Sequence, residues 1–539
     1  MSGQLYNLLL LCLGLIFSVS LLVVVAQRVK MAYPMFLVLA GLAVSFVPML
    51  PTIRIDPDLV FLVILPPVLF DAAVNMSLKG LWKWRRIIMV MAFGFVLFTA
   101  TAVALVSHWL IPGFTLSQGF LLGAIISPPD AAAAVAVLRF IRLPKSMLAI
   151  LEGESLLNDA TSLTLFRFAL AAITTHQFVW HEAVTGFGLV VVSGIGIGIA
   201  FGLLNYAIYK WLPTNANLDV AFSIVSPYLM YLTAEAVHSS GVLAVVSGGL
   251  MTAYQMHFII SHQSRLKAAA LWSSVVFIPN AVVFFLIGLQ LPQITEAVRT
   301  VPIGTAIEYA LIITVVIILT RMMAGAFSTM FTTFISRYIT VAQSRPGWRN
   351  PIIVSWVGMR GVVSLASALS IPLVLPNHQP FPNRDLLLFI TFVVIVITLV
   401  GQGLTLPWII KKVKPEEFPG AKSDDQQRLE IELALYETAS HTLGSAYTDD
   451  VRDNSLLGHR HKFIKHKLKL LQDANSDDGT RQRANELIAH FKQIMMTVTE
   501  TERTQLHTFR KQPDYDDDVI RSVEHRLDLE EEQLQEEDD

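Results

Sequence analysis

Long apolar stretches dominate this chain and constrain its fold more than any other feature. Thirteen of them approach or exceed the length of about 20 residues that a helix needs to cross a membrane. They lie at 5–26, 32–50, 58–76, 87–111, 117–139, 147–175, 182–211, 218–237, 240–256, 270–291, 302–335, 352–374 and 385–410. Because 53% of the residues are hydrophobic and only 15% are charged, we expect an all-α polytopic membrane protein.

The first stretch, 5–26, is compatible with either a cleaved signal peptide or a retained helix. Signal peptides begin with a positively charged region, whereas residues 1–7 contain no basic side chain. The apolar run is also long enough to span a membrane. We therefore expect a retained first helix.

Basic residues are distributed unequally between alternate loops. With a cytoplasmic tail, the loops on the cytoplasmic side carry Arg28, Lys30, Lys79, Lys83, Arg85, Arg86, Arg139, Arg142, Lys145, Lys210, Arg265, Lys267, Arg337, Arg345 and Arg349. The opposite loops carry only Arg54, Arg299 and Arg384. This asymmetry obeys the positive-inside rule. It predicts a multi-pass protein of the inner (plasma) membrane, with the N-terminus outside and the C-terminus in the cytoplasm.

The charge balance changes near residue 411. Residues 1–410 contain 21 Lys and Arg against 13 Asp and Glu, whereas residues 411–539 contain 19 against 29. The change predicts a membrane domain, 1–412, and a cytoplasmic helical tail, 413–539, with a regulatory role. Helical periodicity is clearest at 426–443 and 481–511, and the acidic end, Asp528–Asp539, is expected to be solvated or frayed.

The tail also contains the basic, histidine-rich stretch His459–Lys467. A solvated helix face is the simpler interpretation. The alternative is a pH-sensitive element or a contact with anionic lipid, since histidine titrates near neutrality.

Two of the thirteen stretches are interrupted. The fifth contains Ser127–Asp130, with two consecutive prolines, and the twelfth contains Gly358–Gly361, with glycines on both sides of Met359-Arg360. Broken helices at corresponding positions of two halves are typical of transporters built from inverted repeats. Pairing stretches 1–6 with 8–13 predicts two inverted six-helix repeats with crossed discontinuous helices.

Acidic side chains lie in the middle of the apolar stretch 147–175. A carboxylate at membrane depth costs roughly 2.5–3.5 kcal/mol on insertion scales, so packing alone rarely explains it. At 100° per residue, Ser155, Asp159 and Ser162 share one helical stripe, and Glu154 and Asn158 share the next. The pattern favours a cation or proton site near the membrane midplane. The alternative is a structural polar network between helices.

Other charged residues in apolar stretches complete the candidate set. Asp130 and the free carbonyls of the Pro128-Pro129 break favour an ion site rather than a simple kink. A buried guanidinium needs an acid, and Glu154 is the expected partner of Arg360. Arg321 could pair with an acid or with helix carbonyls. Asp71 is expected to pack between helices or to line a vestibule.

Gly194, Gly196, Gly198 and Gly202 resemble a dinucleotide-binding fingerprint only superficially. They lie inside an apolar helix with no strand before it, so close helix packing is the better interpretation. The sequence has no Walker loop, zinc-protease motif or nucleophile elbow. We therefore expect a secondary transporter rather than an enzyme, with no cofactor and no nucleic-acid partner.

These motifs closely resemble those of the sodium/proton exchangers of the monovalent cation:proton antiporter superfamily, in its bacterial branch. The resemblance covers most of residues 5–412, and the Glu-Ser upstream of Asn-Asp is its most specific part. It runs through Leu65–Asp71, Ser127–Asp130, Gly153–Asp159, Ser240–Ala244, Phe285–Gln290 and Arg360–Ser364.

The resemblance implies a secondary antiporter that exchanges a monovalent cation, most readily Na⁺, for a proton by alternating access. Competition would take place at Asp159, with Asp130 and Ser155 as the further Na⁺ ligands. Pro129 replaces the threonine that the family commonly has, which leaves a carbonyl but no hydroxyl. Lithium and potassium therefore remain open, including a K⁺/H⁺ antiporter of the same fold.

By the same resemblance, Asn158 would hydrogen-bond Glu154, and Glu154 would pair with Arg360. An Asn-Asp pair, where a related branch has two aspartates, implies electroneutral one-for-one exchange. The family also implies a homodimer in membrane lipid.

Two rival functions use intramembrane acids as well. A cation channel or membrane sensor would not require obligatory exchange, and flux stoichiometry would separate it from an antiporter. An intramembrane aspartyl protease is disfavoured because Asp130 and Asp159 lack a Gly-x-Gly-Asp setting.

Overall fold

The computed structural model of the chain is helical throughout the part that it describes. That part comprises residues 2–47, 55–138, 143–175, 180–298, 301–338, 347–376, 378–416, 422–474, 478–510, 512 and 514–535. Five basic residues of the orientation argument lie outside the described residues, namely Arg54, Arg139, Arg142, Arg299 and Arg345. The chain forms two compact units, Met1–Phe418 and Pro419–Asp539.

The helices of the first unit follow the apolar stretches. Three of them continue through π-helical turns at Val60–Ile64, Val90–Phe95 and Ile397–Gln402. In chain order they are α1 Ser2–Arg28, α2 Tyr33–Ser45, α3 Pro57–Leu59, α4 Leu65–Asn75, α5 Leu78–Met89, α6 Val96–Leu110, α7 Leu116–Ile126, α8 Ala131–Leu138, α9 Lys145–Thr175, α10 Trp180–Trp211, α11 Ala216–Ala236, α12 Gly241–Ile259, α13 His262–Leu289, α14 Leu291–Ala297, α15 Ile303–Ile335, α16 Arg349–Trp356, α17 Val362–Leu369, α18 Arg384–Val396 and α19 Gly403–Val413.

Each of the thirteen predicted stretches coincides with a helix, a helix continued through a π-helical turn, or a pair of short helices. Within the described residues, eight continuous helical segments are long and apolar enough to cross a membrane. The short helix α14 and the π-helical turns were not predicted. The protein is therefore an all-helical membrane protein.

Both predicted interruptions are present. α7 ends at Ile126 and α8 begins at Ala131, because Pro128 and Pro129 have no backbone N–H to continue the helix. α16 ends at Trp356 and α17 begins at Val362, on either side of the Gly358–Gly361 segment.

The helices of the first unit pack as two bundles. Bundle I contains α1–α4 and α10–α13, in which α10 packs on α12 and α2 on α13. Bundle II contains α5–α9 and α15–α19, in which α7 packs on α6 and α9, and α15 on α16 and α18. Contacts within each bundle are more extensive than contacts between the bundles. Both broken helices belong to bundle II.

Close packing of α10 on α12 depends on small residues, as the sequence predicted. A Cβ atom at Gly198 would lie 2.2 Å from the Ala244 carbonyl oxygen and 2.0 Å from Ser247 Oγ. Added Cβ atoms at Gly194 and Gly202 would also meet α12, whereas one at Gly196 would meet nothing within 4 Å. Three of the four glycines therefore permit close helix contact, and no nucleotide site is involved.

The second unit, Pro419–Asp539, is helical as well. Its helices are α20 Asp424–Ser445, α21 Thr448–Asp453, α22 Ser455–Ala474, α23 Asp478–Phe509 and α24 Asp517–Gln535. The basic stretch His459–Lys467 lies on α22, with His461 and Ile464 buried and most of its other side chains exposed.

The acidic end differs from the expectation of a frayed tail. Its first part belongs to α24, which is helical to Gln535, and residues 536–539 lie outside the described part. Arg503 of α23 pairs with Asp528 and Glu531 of α24, each at 2.7 Å. Acidic side chains of the C-terminal segment are therefore paired with an arginine of α23.

We expect Gly198→Val to destabilise the protein, because its side chain would overlap the α12 backbone. Overpacking of this kind costs about 1–3 kcal/mol. Gly196→Val makes the same change of helix propensity in the same helix without a clash, so it serves as the control. Thermal unfolding of the purified variants in detergent measures the difference, and equal melting temperatures would contradict the packing.

Candidate functional site

The two broken helices meet at Asp130. Its backbone N–H donates to the Met359 carbonyl oxygen at 2.7 Å. Its carboxylate accepts from the backbone N–H groups of Ala132 at 2.8 Å and Ala133 at 3.3 Å, at the start of α8. The N–H of Val362, at the start of α17, donates to the same carboxylate. One acid therefore satisfies the N-termini of both half-helices, where negative charge is favoured.

This arrangement requires a glycine at position 361. A Cβ atom there would lie 1.6 Å from an Asp130 carboxylate oxygen, so any other residue would displace the acid. The Gly358–Gly361 break thus has a steric function as well as ending α16.

Arg360 complements Asp130 at the opposite ends of the half-helices. Its Nε donates to the Ile126 carbonyl at 2.8 Å, and its Nη2 to the Ser127 carbonyl at 3.4 Å, at the end of α7. Its Nη1 donates to the Gly358 carbonyl, just after α16. The guanidinium therefore lies where helix C-termini leave carbonyls without donors and favour positive charge.

The predicted pairing of Glu154 with Arg360 is wrong. Glu154 pairs with Arg321 of α15, in two hydrogen bonds of 2.8 and 3.0 Å, and both side chains are buried. Arg321 also donates to the carbonyls of Val354 at 3.4 Å and Val357 at 3.1 Å. The physical reason is that Arg360 is already engaged by the carbonyls of the helix breaks. The sequence left open whether Arg321 pairs with an acid or with helix carbonyls, and in the structure it does both.

Asn158 does not hydrogen-bond Glu154, contrary to the expectation. Its amide Nδ2 donates to the Pro129 carbonyl at 3.5 Å, and Ser155 Oγ donates to the same oxygen at 3.4 Å. Asn158 is fully buried, and its Oδ1 has no partner among the residues that the structure describes. The Pro129 carbonyl thus faces α9 through two long, weak contacts.

A cavity of about 330 Å³ lies at this junction, between the two bundles. Five of the predicted residues line it, namely Asp159, Asp130, Ser155, Pro129 and Asp71. Ser162 is buried one turn beyond Asp159 and is not part of this lining. Glu154, Asn158, Arg321 and Arg360 are buried and are not part of this lining.

The cavity also contains polar residues that the sequence analysis missed. Glu152 precedes Asp159 by two helical turns, so the same periodicity would have identified it. Asn280 is a lone amide next to Pro279 within the apolar helix α13. A second cavity of about 430 Å³ shares Asp71 and Asn280 with the first and extends to Arg265.

The oxygen atoms around the cavity suit a monovalent cation or a proton. They include those of four acidic residues, of Ser155 and Ser364, and of Pro129 at the helix break. Unwound backbone carbonyls are common Na⁺ ligands in transporters. Within the described part of the chain, no three His, Cys, Asp or Glu side chains form a metal-binding group. No Lys or Arg is among the described residues of the first cavity's lining.

Comparison with known proteins agrees with this geometry. A family model described as "sodium/hydrogen exchanger, transmembrane" matches residues 14–412. The chain belongs to the sodium/hydrogen exchanger family. The exchanger is therefore a multi-pass membrane protein that transports monovalent cations and protons in antiport, and it is not an enzyme.

Two similar relatives show how widely the likeness extends. An uncharacterized Na⁺/H⁺ exchanger of Mycobacterium tuberculosis is 31% identical over 98% of this chain and 96% of its own length. The sodium, potassium, lithium and rubidium/H⁺ antiporter of Bacillus subtilis is also 31% identical, over 69% of this chain and 57% of its own.

The fold has a counterpart among solved structures. The sodium proton antiporter MjNhaP1 from Methanocaldococcus jannaschii matches with a TM-score of 0.61 at 16% sequence identity. The match covers 76% of the exchanger and 100% of the archaeal chain.

We expect Glu154→Gln and Arg321→Met to destabilise the exchanger by about 3–5 kcal/mol each, because each leaves a buried charge alone. Arg349→Met removes an exposed ion pair with Glu416 and should cost less than about 1 kcal/mol. Unfolding of the purified variants measures these changes.

A double-mutant cycle identifies the partner of Glu154. Arg321→Met combined with Glu154→Gln should lose clearly less stability than the sum of the single losses. Arg360→Met combined with Glu154→Gln should show much weaker coupling. Stronger coupling with Arg360 than with Arg321 would overturn the observed pairing.

Proposed function

We propose that the exchanger catalyses electroneutral, one-for-one exchange of Na⁺ for H⁺, with both ions competing for Asp159. The observation that carries this proposal is the isolation of the Asp159 carboxylate. It faces the cavity beside Asp130, and it has neither a hydrogen bond nor an ion pair to any residue that the structure describes. Three neighbouring acids have partners: Glu154 pairs with Arg321, Asp130 accepts from two helix N-termini, and Asp71 accepts from the Asn75 amide at 2.8 Å. Glu152, the remaining acid of the lining, lies two helical turns from Asp159.

An isolated carboxylate explains why the exchange would be obligatory. A bare charge at membrane depth costs several kcal/mol, whereas a protonated or cation-bound carboxylate is neutral. Only the occupied site can therefore cross the membrane interior. Because one site carries one ion in each direction, sodium and protons would exchange one for one.

The side chains around Asp159 support an electroneutral cycle. Asn158 is neutral at every pH and contacts the Pro129 carbonyl. Glu154 carries a charge that Arg321 balances. Asp159 is thus the carboxylate whose charge changes, and we propose Asp130, Ser155 and the Pro129 carbonyl as its co-ligands for Na⁺.

The ligands at Pro129 bear on which cation is preferred. Pro129 offers a carbonyl but no hydroxyl, so one small-ion ligand of the family pattern is missing. The relative from Bacillus subtilis is named a sodium, potassium, lithium and rubidium/H⁺ antiporter. Another relative, from Aphanothece halophytica, is named an Na⁺/H⁺ antiporter. We propose Na⁺ as the main substrate, with Li⁺ accepted. A K⁺/H⁺ antiporter is the alternative.

Alternating access is proposed to operate between bundles I and II. The first cavity separates them, and the second continues it toward Arg265, which the loop charges assign to the cytoplasmic side. The observed conformation would then face the cytoplasm. The proposal includes thirteen spans, an outer N-terminus and two inverted six-helix repeats.

The remaining parts of the proposal concern assembly and location. We propose a homodimer in the plasma membrane, with residues 413–539 acting as a cytoplasmic regulatory tail. What supports a separate tail is its compact unit, Pro419–Asp539, and its acidic charge balance.

Asp159→Asn tests the proposed carboxylate. In sealed vesicles containing the purified exchanger, this variant should lose Na⁺-dependent proton movement, because its amide can neither release a proton nor balance a cation. Asp58→Asn changes an exposed acid outside the cavity and should keep normal exchange. Undiminished exchange by Asp159→Asn would refute the proposal.

Competition at one site also predicts a pH dependence. Lowering the pH on the side from which Na⁺ enters should raise the apparent KM for Na⁺ and leave the maximal rate unchanged. Initial rates of ²²Na⁺ uptake at several pH values measure both quantities. A fall in the maximal rate at constant KM would indicate separate sites for the two ions.

Charge movement separates exchange from a channel. Electroneutral exchange should continue at the same rate when valinomycin and K⁺ clamp the membrane potential, and it should generate no net current. A current without coupled proton movement would favour the channel. Parallel Na⁺, K⁺ and Li⁺ gradients identify the preferred cation.

A further inference from the structure

An ion pair connects the two bundles away from the cavity. Arg167 of α9 donates from Nη2 to both carboxylate oxygens of Glu235, at 2.7 Å each. Glu235 lies in the last turn of α11 and also accepts from the backbone N–H of Gly241, the first residue of α12, at 3.2 Å. One carboxylate therefore joins bundle II to two helices of bundle I.

The ion pair lies on the far side of Asp159 from the cavity. The residues of α9 that line the cavity are Glu152, Ser155, Leu156 and Asp159, all at or before Asp159. Arg167 follows eight residues later, which is roughly 12 Å farther along the helix. The cavity and the ion pair are thus in opposite halves of α9.

Apolar packing fills the space between them. Ala160 of α9 belongs to the same buried cluster as Tyr231, Ala234 and Val242 of bundle I, and Leu163 packs against that cluster. At this end the bundles are in direct contact. On the other side of Asp159 the cavity lies between them.

Stability alone does not account for this ion pair. The side chains of Arg167 and Glu235 are 47% and 29% exposed, and ion pairs with such exposure contribute little to folding. Their position does matter for motion, because the bundles cannot part at this end while the pair remains intact.

We infer that Arg167 and Glu235 form a lock that holds the exchanger in the conformation with its cavity open, and that must break before Asp159 reaches the opposite side. The inference rests on the alternating access of the proposed function. Arg167 and Glu235 are positioning residues in this account, since neither contacts the transported ions.

Reversible cross-linking tests the lock directly. Cys12 is the only cysteine of the chain, so in a Cys12→Ser background the reagent can react only with the introduced cysteines. In the Arg167→Cys/Glu235→Cys variant, a short bifunctional methanethiosulfonate reagent should reduce Na⁺/H⁺ exchange by about tenfold or more, since the second conformation is no longer populated. Dithiothreitol should restore exchange.

Another exposed ion pair, Arg349–Glu416, supplies the control. Arg349 and Glu416 both lie in the α16–α19 region of bundle II, so linking Arg349→Cys to Glu416→Cys should leave exchange unchanged. ²²Na⁺ binding to detergent-solubilised, linked Arg167→Cys/Glu235→Cys protein should persist, because the cavity stays open. Full exchange by protein shown to be linked by mass spectrometry would overturn the lock.

Neutral substitutions provide a second measurement. Arg167→Gln and Glu235→Gln should each raise the apparent KM for Na⁺ from the cavity side by about twofold to tenfold, because the open-cavity state becomes less populated. The swapped pair Arg167→Glu/Glu235→Arg should recover the parental KM, and all variants should melt near the parental temperature. Unchanged KM and maximal rate in both single variants would refute the inference.

These outcomes are independent of the proposed site. Exchange that survives Asp159→Asn would remove the proposed function whatever the cross-link does. Loss of exchange in Asp159→Asn, together with full exchange in the linked protein, would remove only the lock.

Discussion

The junction of the two half-helix pairs depends on charge placed at helix ends. Breaking two helices at membrane depth leaves N–H groups and carbonyls without partners, at a cost of several kcal/mol for each unsatisfied group. Asp130 satisfies N-termini of both broken helices, and Arg360 satisfies carbonyls at the ends of both. The unwound segments can therefore exist beside the cavity, and the rest of bundle II packs around them.

The same placement of charge distinguishes Glu154 and Asp130, which have fixed partners, from Asp159. Glu154 lies five residues before Asp159 on the same helix, yet it is paired with Arg321 through two hydrogen bonds. Asp130 is held by backbone N–H groups. Of these three acids, only Asp159 has no hydrogen bond or ion pair to a described residue. A cation or a proton can therefore neutralise its charge. A carboxylate that is already paired with an arginine gains little from binding a cation.

Sequence alone predicted the parts of this structure that local chemistry determines. Consecutive prolines at 128 and 129 end a helix wherever they occur, and helical periodicity brought Ser155 and Asp159 to one cavity wall. The partner of Glu154 was not predictable, because Arg321 and Arg360 are both distant arginines in apolar stretches. The structure shows that backbone carbonyls at the helix breaks bind Arg360, which leaves Arg321 to pair with Glu154. Ser162 shares the predicted stripe but lies past the end of the cavity, a boundary set by packing between bundles.

The contacts of Pro129 have a consequence for ionic discrimination. Its carbonyl oxygen receives two hydrogen bonds of 3.4 and 3.5 Å, which are long enough to be given up at little cost. Because the hydrogen bonds to this oxygen are weak, it can shift to coordinate alkali ions of different radius at different distances. If the carbonyl ligates the cation as proposed, this ligand tolerates Li⁺ and K⁺ as well as Na⁺, and the preference for Na⁺ comes from the other ligands. A residue with a side-chain hydroxyl at position 129 would then add a ligand that selects among alkali ions by size.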